Sequence, residues 1–124
     1  MEAIRVCATR NFQVSAVLID NSGIQQAALR GDGTGPQNLA VANDKAYTAV
    51  TFQTDTHTLV ERSSTGTPPS ALAKIPNLLL ASGGVVIKVG DEVIGALAVS
   101  GAAGGDNDHQ CALAGVAKIR DRLK

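Results

Sequence analysis

The sequence predicts a mixed helix-and-sheet domain (α/β in the broad sense, α+β in arrangement) with an antiparallel sheet. Three observations predict it. Residues 12–29 and 85–99 are two β-rich stretches, each interrupted by a turn signal, as hairpins require. Between them, Gln37 to about Gln53 carries apolar residues at helical intervals. A second helical pattern closes the chain after the last hairpin.

The opening segment to Arg10 has a helix-compatible composition. Phe12 to Ile19 then changes to β character, with Gln13 and Ser15 alternating against Val14 and Ala16. Asp20-Asn21-Ser22-Gly23 tolerates a turn, and Ile24 to Leu29 returns as the second strand. Arg30 to Pro36 holds three glycines and a proline in seven residues, a loop and the first candidate for a functional surface. In the central helix, Leu39, Ala42, Ala46, Ala49 and Val50 mark one row and Val41, Lys45, Thr48 and Phe52 a second. Burial on more than one side follows, with Lys45 near a covered face. Asp55-Thr56 is placed to cap a short helix from His57 to Glu61, which the loop Thr65 to Pro69 ends. Leu78-Leu79-Leu80 is a strand candidate, and Val85–Val89 with Val93–Val99 flank Gly90-Asp91-Glu92 as a hairpin. After the Gly-rich run from Ser100 to Gly105, Asp106-Asn107-Asp108 is placed to cap a helix with Ala112, Val116, Ile119 and Leu123 on one face. Arg120, Arg122 and Lys124 suit its negative end.

At 124 residues the chain is expected to be a single domain, 1–124. Eleven basic residues against eleven acidic ones, with no basic stripe, argue against nucleic acid. Apolar runs fall far short of a bilayer span, and the first residues do not resemble a secretory signal, so no membrane partner and a cytoplasmic location are expected. Cys7 and Cys111 are accordingly expected as free thiols. Tyr47, Phe12 and Phe52 are the only aromatics. A core of small residues buries little area per residue, so a homo-oligomer is expected, with the second face of the central helix meeting a neighbour.

Candidate chemistry gathers at a few residues. The turn from Ser100 to Asp108 joins backbone N–H groups to a helix start, an arrangement that receives carboxylates or phosphates or is simply a strand-to-helix turn. His57 and His109 are the only imidazoles, and neither forms a structural-zinc spacing with the cysteines. His109 and Cys111, two apart on a helix, point to different sides. No nucleophile comes with an obvious base, and Cys111 reads as structural.

The chain resembles the GlcG/HbpS-like family, often labelled haem-degrading or haem-binding, over nearly its whole length. Val17 to Gly23 resembles the family's Val-Val-Asp-x-x-Gly hairpin, Arg30-Gly31-Asp32-Gly33 its Arg-x-Asp-Gly loop, and Lys45-Ala46-Tyr47-Thr48-Ala49 its Lys-Ala-x-Thr-Ala helix. Most specific are Gly83 to Ile87 and Gly95 to Gly101, followed by Asp108 and Cys111 to Gly115. The resemblance implies a profilin-like sandwich, an antiparallel sheet flanked by helices, assembled as a homo-oligomer, an octamer in this family. Members include secreted haem sensors and the C-terminal domain of some corrinoid adenosyltransferases, so function varies more than fold. This chain departs from the pattern at Val86 (usually Pro), Ala98 (usually Gly) and His109 (commonly Glu).

The expected function is haem binding, with degradation or sensing as family activities. Iron would be held by His57 or His109, and a propionate received by Lys45, Arg30 or the Ser100-Gly101 amides. One alternative is a binding protein or enzyme for a small carboxylate, in a cleft of Arg30, Lys45, Gly83, Gly84, Ser100 and Gly101. There Asp32, Asp108 or His109 would handle a proton. The other alternative is an accessory subunit whose Gly-rich loops serve packing between chains.

Overall fold

Residues 15–20 send apolar side chains to both sides of the backbone, so their sheet has to be covered on both faces. The computed structural model describes residues 1–64, 77–102 and 105–120. In chain order these form α1 (Glu2–Thr9), β1 (Ser15–Asp20), β2 (Gln25–Arg30), α2 (Gln37–Phe52), α3 (Thr56–Ser64), β3 (Gly84–Val89), β4 (Glu92–Ser100) and α4 (Gly105–Ile119). The strands make one antiparallel sheet in the order β2-β1-β4-β3. It is an α+β sandwich with the sheet flanked by helices.

Each face has its own core. Ala16, Val85, Ile87 and Val99 pack with Ala3 and Cys7 of α1 and Cys111, Ala112 and Val116 of α4. On the opposite face Val17, Ile19, Ala96 and Ala98 meet Ala42, Ala46 and Ala49 of α2, whose small side chains let the helix lie close to the sheet. The second row of α2 is only partly covered: Lys45 and Thr48 are buried, Val41 is half-buried and Phe52 exposed.

Four expectations change. Leu78 to Leu80 is not a strand, because the Leu79 N–H donates to the Thr48 hydroxyl at 2.8 Å rather than to a neighbouring strand. Asp106 and Asp108 are not caps ahead of α4 but lie inside its first turn, since the helix already starts at Gly105. Cys7 and Cys111 are not free thiols: α1 packs on α4 with their Cα atoms 5.7 Å apart, and they form a disulfide. Asp55 and Thr56 reach across to β3, as described below. The predicted loop at 65–69 and the residues Arg122, Leu123 and Lys124 lie outside the described residues. No helix among the described residues is long and apolar enough to cross a membrane.

Candidate functional site

Two side chains at the start of α3 fasten it to β3 rather than to its own first turn. The Val86 N–H donates to Asp55 Oδ1 at 2.9 Å, and the Gly84 N–H donates to the Thr56 hydroxyl at 2.9 Å. This anchorage sets His57 beside the segment that leads into β3 and against the first turn of α4.

Asp108, in that first turn, points inward. Its Oδ2 accepts from Lys45 Nζ at 2.9 Å and its Oδ1 from the Ala102 N–H at 2.8 Å, while Lys45 Nζ also donates to the Val99 carbonyl at 3.0 Å. Both side chains are nearly sealed, at 5% and 6% exposure. Burial pushes the Asp108 carboxyl above the usual carboxylate range, against the opposing pull of Lys45 and the amides of Ala102 and Gly101. A Cβ at Gly83, whose φ is +133°, would stand 2.9 Å from Lys45 Nζ and 2.6 Å from the Val99 oxygen. One at Gly84 would stand 2.5 Å from the Lys45 carbonyl oxygen. The Gly83-Gly84 pair therefore makes room for Lys45 and its helix.

His109, the next residue, faces a different neighbour. Its ring stacks on that of His57 with centroids 4.5 Å apart and planes 17° from parallel. His57 Nδ1 lies 3.1 Å from Ser82 Oγ and 3.4 Å from Asp106 Oδ1, and its Nε2 lies 2.9 Å from Glu61 Oε1. The His57 side chain is 29% exposed, whereas His109 is buried. His109 Nδ1 has no hydrogen-bond partner among the described residues. Burial, and next the charge of His57, hold the His109 imidazole below its usual range, while Asp55, Asp106 and Glu61 oppose them.

The remaining predicted site residues lie along one end of the sheet. Arg30 is turned onto its own loop, with Nη2 donating to the Thr34 carbonyl at 2.9 Å. The Thr34 hydroxyl in turn sits 3.2 Å from that of Ser15. The Ser100 hydroxyl donates to Asn38 Oδ1 at 3.3 Å, and Gly101 lies against the Gln13 backbone and the Asn38 side chain. Asp32 is exposed on the loop. The structure thus gathers Lys45, Gly83, Asp108 and the Val99–Gly101 backbone into one buried cluster, with His57 and His109 on its flank.

Reading the sequence singled out both histidines and Lys45 but not Ser82 or Glu61. Glu61 had a signal, being four residues after His57 on a predicted helix. Ser82 had none, because it is brought beside His57 by tertiary packing, with Gly105 lying against it. Among the described residues no group of three or more His, Cys, Asp or Glu could hold a metal ion by itself.

Residues 1–117 match the family described as "Haem degrading protein HbpS-like". Among solved structures, HbpS is 33% identical with a TM-score of 0.87, over 95% of this chain and 82% of that one. A double mutant of Streptomyces reticuli HbpS is likewise 33% identical, with a TM-score of 0.86, over 95% of this chain and 79% of that one. A PduOC:Heme complex shares the fold at 22% identity and a TM-score of 0.86, over 95% of this chain and 86% of the other. A comparison with curated proteins finds no match. A family match over almost every residue and a third of positions shared with HbpS agree with the geometry: this chain belongs to the HbpS-like family.

Proposed function

We propose that this protein binds haem through one imidazole, that of His57. The observation that carries the reading is how the ring is held. Its Nδ1 is engaged by Ser82 and lies near Asp106, and one face is covered by His109, while among the described residues Nε2 meets the carboxylate of Glu61, which is 68% exposed. A metal-binding histidine has the same features: one nitrogen fixed by a protein group, the other directed outward. The donor set would offer the iron one imidazole, that of His57. Stacked rings project their in-plane lone pairs side by side, so His57 and His109 do not converge on one iron from opposite sides. Haem would supply redox-active iron, and Ser82 and His109 would fix the imidazole that holds it. The family description and the 33% identity to HbpS support the same reading. An anion site at Lys45 is disfavoured, because its ammonium group is buried and engaged by Asp108 and Val99.

Titration with hemin, followed in the Soret band, tests the proposal. The wild-type chain is expected to give a saturable shift. His57→Ala should abolish it, and His109→Ala should weaken the affinity by about tenfold. A wild-type chain with no saturable shift, or a folded His57→Ala variant with an unchanged one, overturns it.

A further inference from the structure

Ser82 stands in the sequence with no base near it, and the fold supplies one. Its Oγ lies 3.1 Å from Nδ1 of His57, 25 positions away, and on the far side of the same ring Nε2 lies 2.9 Å from Glu61 Oε1. A carboxylate only accepts hydrogen bonds, so the proton of a neutral His57 ring sits at Nε2, facing Glu61. Nδ1 is left with its lone pair towards Ser82, whose hydroxyl donates to it. The stacked ring of His109 holds that edge in place. Asp106 Oδ1, 3.4 Å from Nδ1, favours the imidazolium that forms when the ring takes up a second proton. Hydroxyl, imidazole and carboxylate in a row make an activated serine, an arrangement recognised by geometry rather than by order in the chain.

We propose that the haem-free protein hydrolyses small neutral carboxylic esters, with Ser82 as nucleophile, His57 as general base and Glu61 as the residue that positions His57. Ser82 Oγ bonds to the carbonyl carbon while its proton passes to His57 Nδ1. The bond from that carbon to the alcohol oxygen then breaks, and the alcohol leaves with the proton held at Nδ1. Water attacks the acyl-serine next, giving a proton to Nδ1, which returns it to Ser82 Oγ as the carboxylic acid departs. Iron at Nε2 would displace Glu61, so the activity belongs to the chain without haem and does not rest on the haem reading.

The surroundings of Ser82 set the substrate class. Gly105 opens α4 against it: a Cβ added there would stand 3.0 Å from Ser82 Cβ and 3.5 Å from its Oγ. The first N–H groups of a helix have no partner within it and carry the positive end of its dipole. The start of this 15-residue helix therefore favours the negative oxygen that develops on the carbonyl. The same closeness, with Ser82 only 7% exposed, restricts the acyl group to a small one. On the open side stand the exposed carboxylates of Glu61 and Asp106, which repel an anionic ester and admit a neutral one.

Two probes test the proposal on the haem-free wild-type chain. Diisopropyl fluorophosphate, which loses fluoride to an activated serine, is expected to add one diisopropylphosphoryl group, placed on Ser82 by a peptide map. Hydrolysis of p-nitrophenyl acetate should exceed the buffer rate and disappear in Ser82→Ala, with the circular dichroism spectrum unchanged. His57→Gln should lower the rate by about 100-fold or more. Glu61→Gln keeps the shape of the side chain but not its charge, and should lower kcat while leaving KM as it is. A wild-type chain that takes no label, or takes it at another residue, overturns the proposal. So does a folded Ser82→Ala variant that hydrolyses the ester as fast as wild type. Both probes are used without hemin, so a chain that binds hemin but leaves Ser82 unlabelled loses this activity alone.

Discussion

Asp108 and His109 are consecutive residues, yet the buried polar pairs they belong to have opposite characters. Asp108 and Lys45 satisfy each other: both carboxylate oxygens accept hydrogen bonds and the ammonium has two acceptors. His109 and His57 stack without bonding to each other, and His109 Nδ1 is buried with no partner among the described residues. A satisfied pair ties elements together, here α2, β4 and the start of α4. An unsatisfied one is a cost that a fold keeps where the group has something else to do. The difference separates a structural strut from a candidate site within one helical turn.

The largest effect is expected from breaking the strut. Lys45→Met leaves the Asp108 carboxylate buried and unpaired, which should cost about 3–5 kcal/mol in urea unfolding. The double variant Lys45→Met/Asp108→Leu should lose distinctly less, because no charge is left stranded.

Next comes the disulfide, which anchors α4 to α1 three residues after Asp108 and two after His109. It closes a loop spanning 104 residues of sequence. Replacing Cys7 and Cys111 with Ser should cost about 2–5 kcal/mol by the same measurement. Neither polar pair should be lost, since neither depends on the sulfurs.

A smaller effect distinguishes the pairs by pH. The folded state holds His109 below its ordinary 6.5, so as pH falls through that value the unfolded chain takes up a proton that the fold resists. Stability is therefore expected to fall between about pH 7.5 and about pH 5.5, and His109→Gln should flatten that stretch of a Tm-against-pH curve. Asp108 acts in the opposite sense. Its folded-state pKa lies above 3.8, so its contribution declines as pH rises from there through the raised value. Smallest of all, Glu61→Gln should change stability by no more than about 0.5 kcal/mol, because its pair with His57 is largely exposed.

Much of the fold was legible because the signals were local. The β-branched run of β3 and the spacing of Ala42, Ala46 and Ala49 on α2 are properties of short windows, and the structure keeps both. Leu78-Leu79-Leu80 has the composition of a strand, but the Thr48 hydroxyl takes the Leu79 amide, and no window of sequence contains that contact. The disulfide was illegible for the same reason, its pairing being set by how α1 crosses α4. At the site, Lys45 could be placed near a covered face from helical spacing alone, and His57 could be tied to Glu61. The separation of 52 positions between His57 and His109 hid their stack, which depends on Asp55 and Thr56 fastening α3 to β3.

The most direct measurement of the contrast is a hemin titration of two variants side by side, each first shown to be folded by circular dichroism. Lys45→Met/Asp108→Leu removes the satisfied pair and is expected to keep a saturable Soret shift close to that of wild type. His57→Ala opens the unsatisfied pair and is expected to lose it. Loss of the shift in the strut variant together with its survival in His57→Ala would contradict the assignment of strut and site.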